Sequence, residues 1–162
     1  MDDLRLKAEF ITPAFIGGSD PRGTPELRAA SLRGALRYWL RALLSDQNVT
    51  SLRQKEGRVF GRTGNGGGAS AVGMRVEWVR KNEKLLTQWM PGNYPQPSRD
   101  RPTPGLHYAF FSLKANRQEP RERSGFTGEF NLTLSRRPGV FSNDALVSAY
   151  AALWCFVRFG GA

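Results

Sequence analysis

The stretch Arg28-Ala-Ala-Ser-Leu-Arg-Gly-Ala-Leu-Arg-Tyr-Trp-Leu-Arg-Ala-Leu-Leu-Ser45 decides how the rest of the chain is read. Leu32, Leu36, Leu40 and Leu43 recur at helical spacing, so the pattern predicts a helix over 28–45 with one apolar face. Arg33, Arg37 and Arg41 form an i, i+4, i+8 row on a neighbouring face. Ser31 and Gly34 are small residues near its start. Gly34 costs the helix about 1 kcal/mol relative to alanine, which points to something approaching the backbone there.

Before this helix, residues 4–11 (Leu-Arg-Leu-Lys-Ala-Glu-Phe-Ile) alternate apolar and polar and read as a half-buried strand. After it, residues 57–73 read as a glycine-rich loop, and Met74 to Val79 as a second strand. An irregular, proline-rich insertion is expected over about 90–125, containing a third strand at 107–114 and a charged loop from Asn116 to Gly125. Phe126 to Leu134 reads as a further strand, with Phe126, Phe130, Leu132 and Leu134 on one face. Ser142-Asn143-Asp144 reads as the cap of a second, largely apolar helix ending near Arg158. The order is strand, helix, three strands, helix. It approximates an α+β, split βαβ arrangement of the ferredoxin-like and RRM-like kind, with an antiparallel sheet and two helices on one face. One domain over 1–162 is expected. The last strand of that arrangement is missing at Phe159-Gly160-Gly161-Ala162, so a partner chain, a self-dimer or a strand from the 80–125 segment is expected to complete the sheet.

With 162 residues and a net charge of +10, the chain is a strongly basic protein of single-domain size. Nineteen of its cations are arginine and five are lysine. The guanidinium fork grips phosphate in two places and stacks on bases, which suits RNA or DNA. Genomic composition bias is the competing explanation of the Arg/Lys ratio. No acidic residue follows Arg33, Arg37 or Arg41 at i+4, and Tyr38 and Trp39 lie within the row, in position to stack on bases. The alternative for this face is a solvated charge row.

The remaining motifs are weaker. Gly64-Asn-Gly-Gly-Gly-Ala69 fits a dinucleotide fingerprint only formally, because a strand follows it instead of a helix. It reads either as a flexible loop or as a backbone-amide cradle for phosphate beside Arg58 and Arg62. The single cysteine, Cys155, lies in an apolar run and reads as a core thiol. The single histidine, His107, excludes a multi-imidazole site, and no carboxylates stand at metal spacing, so no metal or cofactor is expected. The amino terminus has no signal-peptide pattern, and the longest apolar run, Ala145 to Val157, is too short to span a bilayer. A cytoplasmic location without membrane contact is expected.

Thr12-Pro-Ala-Phe-Ile-Gly-Gly18, Glu26-Leu-Arg-Ala-Ala-Ser-Leu-Arg-Gly-Ala-Leu-Arg-Tyr-Trp-Leu-Arg-Ala42, Val59-Phe-Gly61 and Ser70 occur in this order at spacings that resemble a CRISPR family. The chain is similar to the amino-terminal domain of the first RAMP subunit of type III-B (Cmr) effector complexes. The match covers about the first eighty residues and is looser beyond them. The resemblance implies an RRM-like RAMP domain without catalytic residues. Such a subunit holds the 3′ side of the CRISPR RNA, helps capture single-stranded target RNA and contacts other Cmr subunits. The RNA contacts it implies are Arg33, Arg37, Trp39 and Arg41, with Arg28, Ser31 and Arg62 in supporting places. Exchange of Arg37 and Arg41 for alanine is expected to weaken RNA binding with little loss of stability. Two other readings stay open: a metal-independent endoribonuclease that processes repeat RNA with His107 as base, and a protein-only assembly module.

Overall fold

The computed structural model describes residues 3–18, 20, 23–64, 66–89, 113, 122–139 and 143–160. Among these residues three strands form one antiparallel sheet in the order β1-β3-β2: β1 (Asp3–Ala14), β2 (Val72–Leu85) and β3 (Ser124–Arg136). Placement of β3 between β1 and β2 is the strand order of a split βαβ unit. This agrees with the α+β, ferredoxin-like expectation. Among the described residues four helices accompany the strands: α1 (Ala29–Leu44), α2 (Val49–Phe60), the single turn α3 (Leu86–Trp89) and α4 (Asn143–Phe159). Among the described residues β1 and β2 are the sheet's edges.

Several expectations change in detail. The second strand is longer than 74–79 and runs from Val72 to Leu85. The glycine-rich loop does not begin at residue 57, because Gly57 is buried inside α2. It runs from Gly61 to Ala71 instead. Helix α2 itself was not expected. Its buried positions are Glu56, Gly57, Val59 and Phe60, and a carboxylate at an inward position breaks the apolar period. The expected third strand at 107–114, the bulk of the 90–125 insertion and His107 lie outside the described residues.

The described chain forms two compact units. The first comprises residues 1–8, 28–77 and 130–162. Here α1 buries Leu32, Leu36 and Leu40, as its periodicity requires, while Leu43 stays exposed. Helix α4 buries Ala145, Leu146, Ala149, Ala152, Leu153 and Cys155, and the small residues let α1 and α4 lie close together. Strand residues Val72, Phe130, Leu132 and Leu134 complete this core. The even-numbered β3 side chains point inward because successive Cβ atoms alternate across a strand. Helix α2 also packs against α1 and α4.

The second unit comprises residues 9–27 and 78–129. Phe10, Trp78 and Phe126 form an aromatic cluster, with Trp78 and Phe126 edge to face at 4.9 Å. Lys81 Nζ donates to the Pro25 carbonyl at 3.3 Å and lies 5.8 Å from the Phe126 ring centre. Gly128 has φ 139°, and a Cβ there would stand 2.1 Å from the Arg80 carbonyl oxygen. Only glycine fits this close passage of β3 against β2.

An arginine-lined cavity between two helices and a glycine hairpin

Helix α2 starts at Asn48, whose side chain accepts from the Ser51 amide at 3.0 Å. Asp46 braces the same turn. It accepts from the Asn48 amide at 2.9 Å, the Ser51 hydroxyl at 2.6 Å and Lys55 Nζ at 2.8 Å. The Lys55 bond and these further donors hold the Asp46 carboxyl at about 2, well below its ordinary value. One turn further along α2, Glu56 turns inward and is only 3 % exposed.

Glu56 joins the two helices. Arg37 Nη1 donates to its Oε1, and Arg41 Nε donates to its Oε2. Burial pushes the Glu56 carboxyl upward, but the bonds from Arg41 and Arg37 outweigh it and leave the group below its ordinary value. In return, the bond to Glu56 raises the pKa of Arg41. The absence of an acid at i+4 thus did not leave these arginines unpaired, because their counter-ion comes from another helix.

The two arginines play different parts. Arg37 Nη2 also donates to the carbonyls of Phe60 (2.8 Å) and Gly61 (2.7 Å), two of the carbonyls left without a partner where α2 ends. Its guanidinium carbon lies 6.0 Å from the Phe60 ring centre. Arg37 therefore fastens α2 to α1, and the expectation that its loss costs little stability is corrected. Arg41 uses only Nε, its side chain is 54 % exposed, and its two terminal amino groups make no bond among the described residues.

Beyond Arg41 opens a cavity of about 620 Å³ lined by Arg37, Arg41, Arg53, Glu56, Arg62 and the 60–63 backbone. Four arginines and one carboxylate line it, an excess of positive charge that suits an anion. Arg53 has no partner among the described residues. The glycine-rich segment closes one side as a tight hairpin, with Arg62 and Gly68 exchanging backbone bonds at 3.0 and 3.1 Å. Gly61 has φ 75°, and a Cβ there would lie 2.7 Å from the Ser70 amide nitrogen, so the turn into the hairpin requires glycine. Arg62 Nη2 donates to the Gly66 carbonyl at 3.0 Å and so braces the hairpin. A second cavity of about 420 Å³ is lined by Gln54, Gly57, Arg58, Arg62 and residues 66–69.

Of the residues expected to contact RNA, the structure brings Arg37, Arg41 and Arg62 together around one cavity. Arg28 and Ser31 lie at the other end of α1, about 20 Å and about 15 Å along its axis from Arg41 at 1.5 Å per residue. Arg28 is the exposed residue preceding α1, and its carbonyl accepts from the Ser31 amide at 3.0 Å. Arg33 Nε is buried and has no hydrogen-bond partner among the described residues. Trp39 points to the opposite flank of α1, where Nε1 donates to the Gly160 carbonyl at 3.1 Å and the ring lies 5.5 Å from Phe159. The sequence reading missed Arg53 and Glu56. Their signal was the helix start at Asn48 followed by Leu52, Val59 and Phe60 at helical spacing.

Among the described residues no helix is long and apolar enough to cross a membrane. A relative from Pyrococcus furiosus, the CRISPR system Cmr subunit Cmr1-2, is 42 % identical over 72 residues. That alignment covers 43 % of this chain and 36 % of the relative, so the chain spans about a third of the relative's length. No solved structure matches the chain. The RAMP superfamily matches residues 7–161, nearly the whole sequence, and the chain therefore belongs to the RAMP superfamily.

Proposed function

We propose that this chain is a non-catalytic, RNA-binding subunit of a type III-B CRISPR effector ribonucleoprotein. In this reading it works in the cytoplasm beside other Cmr subunits. It holds the 3′ side of the CRISPR RNA and helps capture single-stranded target RNA. The observation that carries the reading is the cavity lined by Arg37, Arg41, Arg53 and Arg62, where one buried carboxylate fixes the arginines without neutralising them all. Membership of the RAMP superfamily and the similarity to a Cmr subunit support the same reading. Arg41 and Arg53 are the phosphate contacts, Arg62 shapes the hairpin beside them, and Arg37 and Glu56 position Arg41. Arg28, Ser31 and Arg33 extend the contact toward the start of α1, and Trp39, on the opposite flank, supports the neighbouring Tyr38 ring edge to face.

The test is a fluorescence-anisotropy titration of a single-stranded RNA and a matched DNA duplex at low and high salt. Two phosphates held by Arg41 and Arg53 correspond to an affinity loss of about sevenfold between about 50 and about 200 mM salt. Tight, salt-sensitive binding that prefers the RNA is expected. Equal, weak binding to both refutes the reading and leaves the charge as a bulk property.

A further inference from the structure

Among the described residues two helices contain an internal glycine, and the fold accounts for only one of them. In α2, a Cβ on Gly57 would stand 2.9 Å from Cδ of Arg62, so the bare backbone makes room for the arginine that braces the hairpin. In α1, a Cβ on Gly34 would meet no atom of the described residues within 4 Å. Gly34 is exposed, its φ is not positive, and it lies in the interior of a regular helix. Packing among the described residues neither needs nor uses the missing side chain, yet glycine weakens the helix at this position.

The position of Gly34 on α1 shows what the gap serves. With Leu32, Leu36 and Leu40 facing the core, the outward line of the helix carries Ser31, Gly34, Tyr38 and Arg41, at steps of three, four and three residues. Tyr38 is 53 % exposed, and its ring is steadied edge to face by Trp39 at 5.4 Å. Arg41, at the far end of the line, turns its unbonded amino groups toward the arginine-lined cavity. Gly34 is thus a notch in a ridge that joins a hydroxyl, a supported aromatic face and an anion site.

We infer that the sugar–phosphate backbone of bound single-stranded RNA crosses α1 at Gly34, in van der Waals contact with bare helix backbone. One nucleobase then stacks on Tyr38, and the neighbouring phosphate lies against Arg41. This rests on the RNA-binding reading and adds to it a crossing point and a residue whose only role is to leave space. Ring stacking tolerates any base, so the contact is independent of sequence.

The experiment compares the full chain with Gly34→Ala and Gly34→Leu by thermal unfolding and by anisotropy with a short fluorescein-labelled single-stranded RNA. Both replacements are better helix formers than glycine, so Gly34→Ala is expected to raise Tm by ~2–4 °C. The same methyl group intrudes on the RNA path and is expected to weaken binding about tenfold, with about a hundredfold for leucine. Stability and affinity therefore move in opposite directions, which a purely structural glycine does not produce. Unchanged RNA affinity in Gly34→Ala, or a lowered Tm, overturns the inference and leaves the RNA-binding reading intact. Failure of the wild-type chain to bind RNA overturns both.

Discussion

Arginines 37 and 41 lie on one helix face one turn apart, and their replacement by alanine separates two roles. In Arg37→Ala, Glu56 keeps its buried position and loses the donor to Oε1, while the Phe60 and Gly61 carbonyls lose their bonds at 2.8 and 2.7 Å. A hydrogen bond to a charged group is worth about 1.5–3 kcal/mol and a neutral one about 1 kcal/mol. The adjoining cavity lets water reach one of the carbonyls, so the expected cost is about 3 kcal/mol, within the range for breaking a buried pair. In a chain of this size that lowers Tm by about 6–12 °C. In Arg41→Ala, Glu56 keeps Arg37 as its partner, and the lost side chain is half exposed and screened by water. The cost there is about 1 kcal/mol, or about 2–4 °C. RNA affinity shows the complementary pattern: Arg41→Ala loses binding at full occupancy of the folded state. Differential scanning calorimetry with anisotropy on the same samples measures both. Equal Tm losses, or a larger loss for Arg41→Ala, refute the assignment of Arg37 as the residue that fastens α2 to α1. The double variant Arg37→Met, Glu56→Leu gives an independent check. It removes both charges together, and its Tm is expected to lie above that of Arg37→Ala.

Three further outcomes follow from the same geometry. Glu56 is held below its ordinary carboxylate range, so its contribution to stability is present above the unfolded value of about 4.3 and is lost as pH falls through the lower folded value. A Tm-versus-pH scan of Glu56→Gln is therefore expected to lie below wild type near neutral pH and to converge with it in acid. Asp46 behaves in the same way over a window from about 3.9 down to about 2, so Asp46→Asn is expected to lower Tm at pH 7 and to leave it unchanged near pH 2. Gly128→Ala forces a Cβ to within 2.1 Å of the Arg80 carbonyl oxygen at a φ of 139°. It is expected to cost more than about 3 kcal/mol in chemical denaturation, and a loss below about 1 kcal/mol would show that β3 can shift away from β2 there.

Much of the architecture was legible from local pattern. Leucines at 32, 36 and 40 define the inward face of α1, and the alternation from Phe126 to Leu134 defines that of β3, because the helical and strand periods act over neighbouring residues. The motif running from Thr12 to Ser70 placed the chain among RAMP proteins, and the match over residues 7–161 agrees. Helix α2 was hidden because one of its inward positions holds Glu56, a residue that local pattern assigns to solvent. The basic row itself was visible by spacing, as was the cost of Gly34.

The sequence alone determined that α1 carries a line of arginines beside its apolar face and that a glycine-rich turn follows later in the chain. Only the tertiary structure decided what each arginine does. Glu56 lies 19 residues from Arg37 and 15 from Arg41, and no helical or strand period connects such distances. Packing of α2 against α1 brings that carboxylate between the two guanidinium groups. Together with the Phe60 and Gly61 carbonyls it takes up both amino groups of Arg37, and it holds Arg41 by one nitrogen beside the cavity. A periodicity fixes which side of a helix a residue occupies. Its partner, and hence its function, depends on which other element comes to rest against that side.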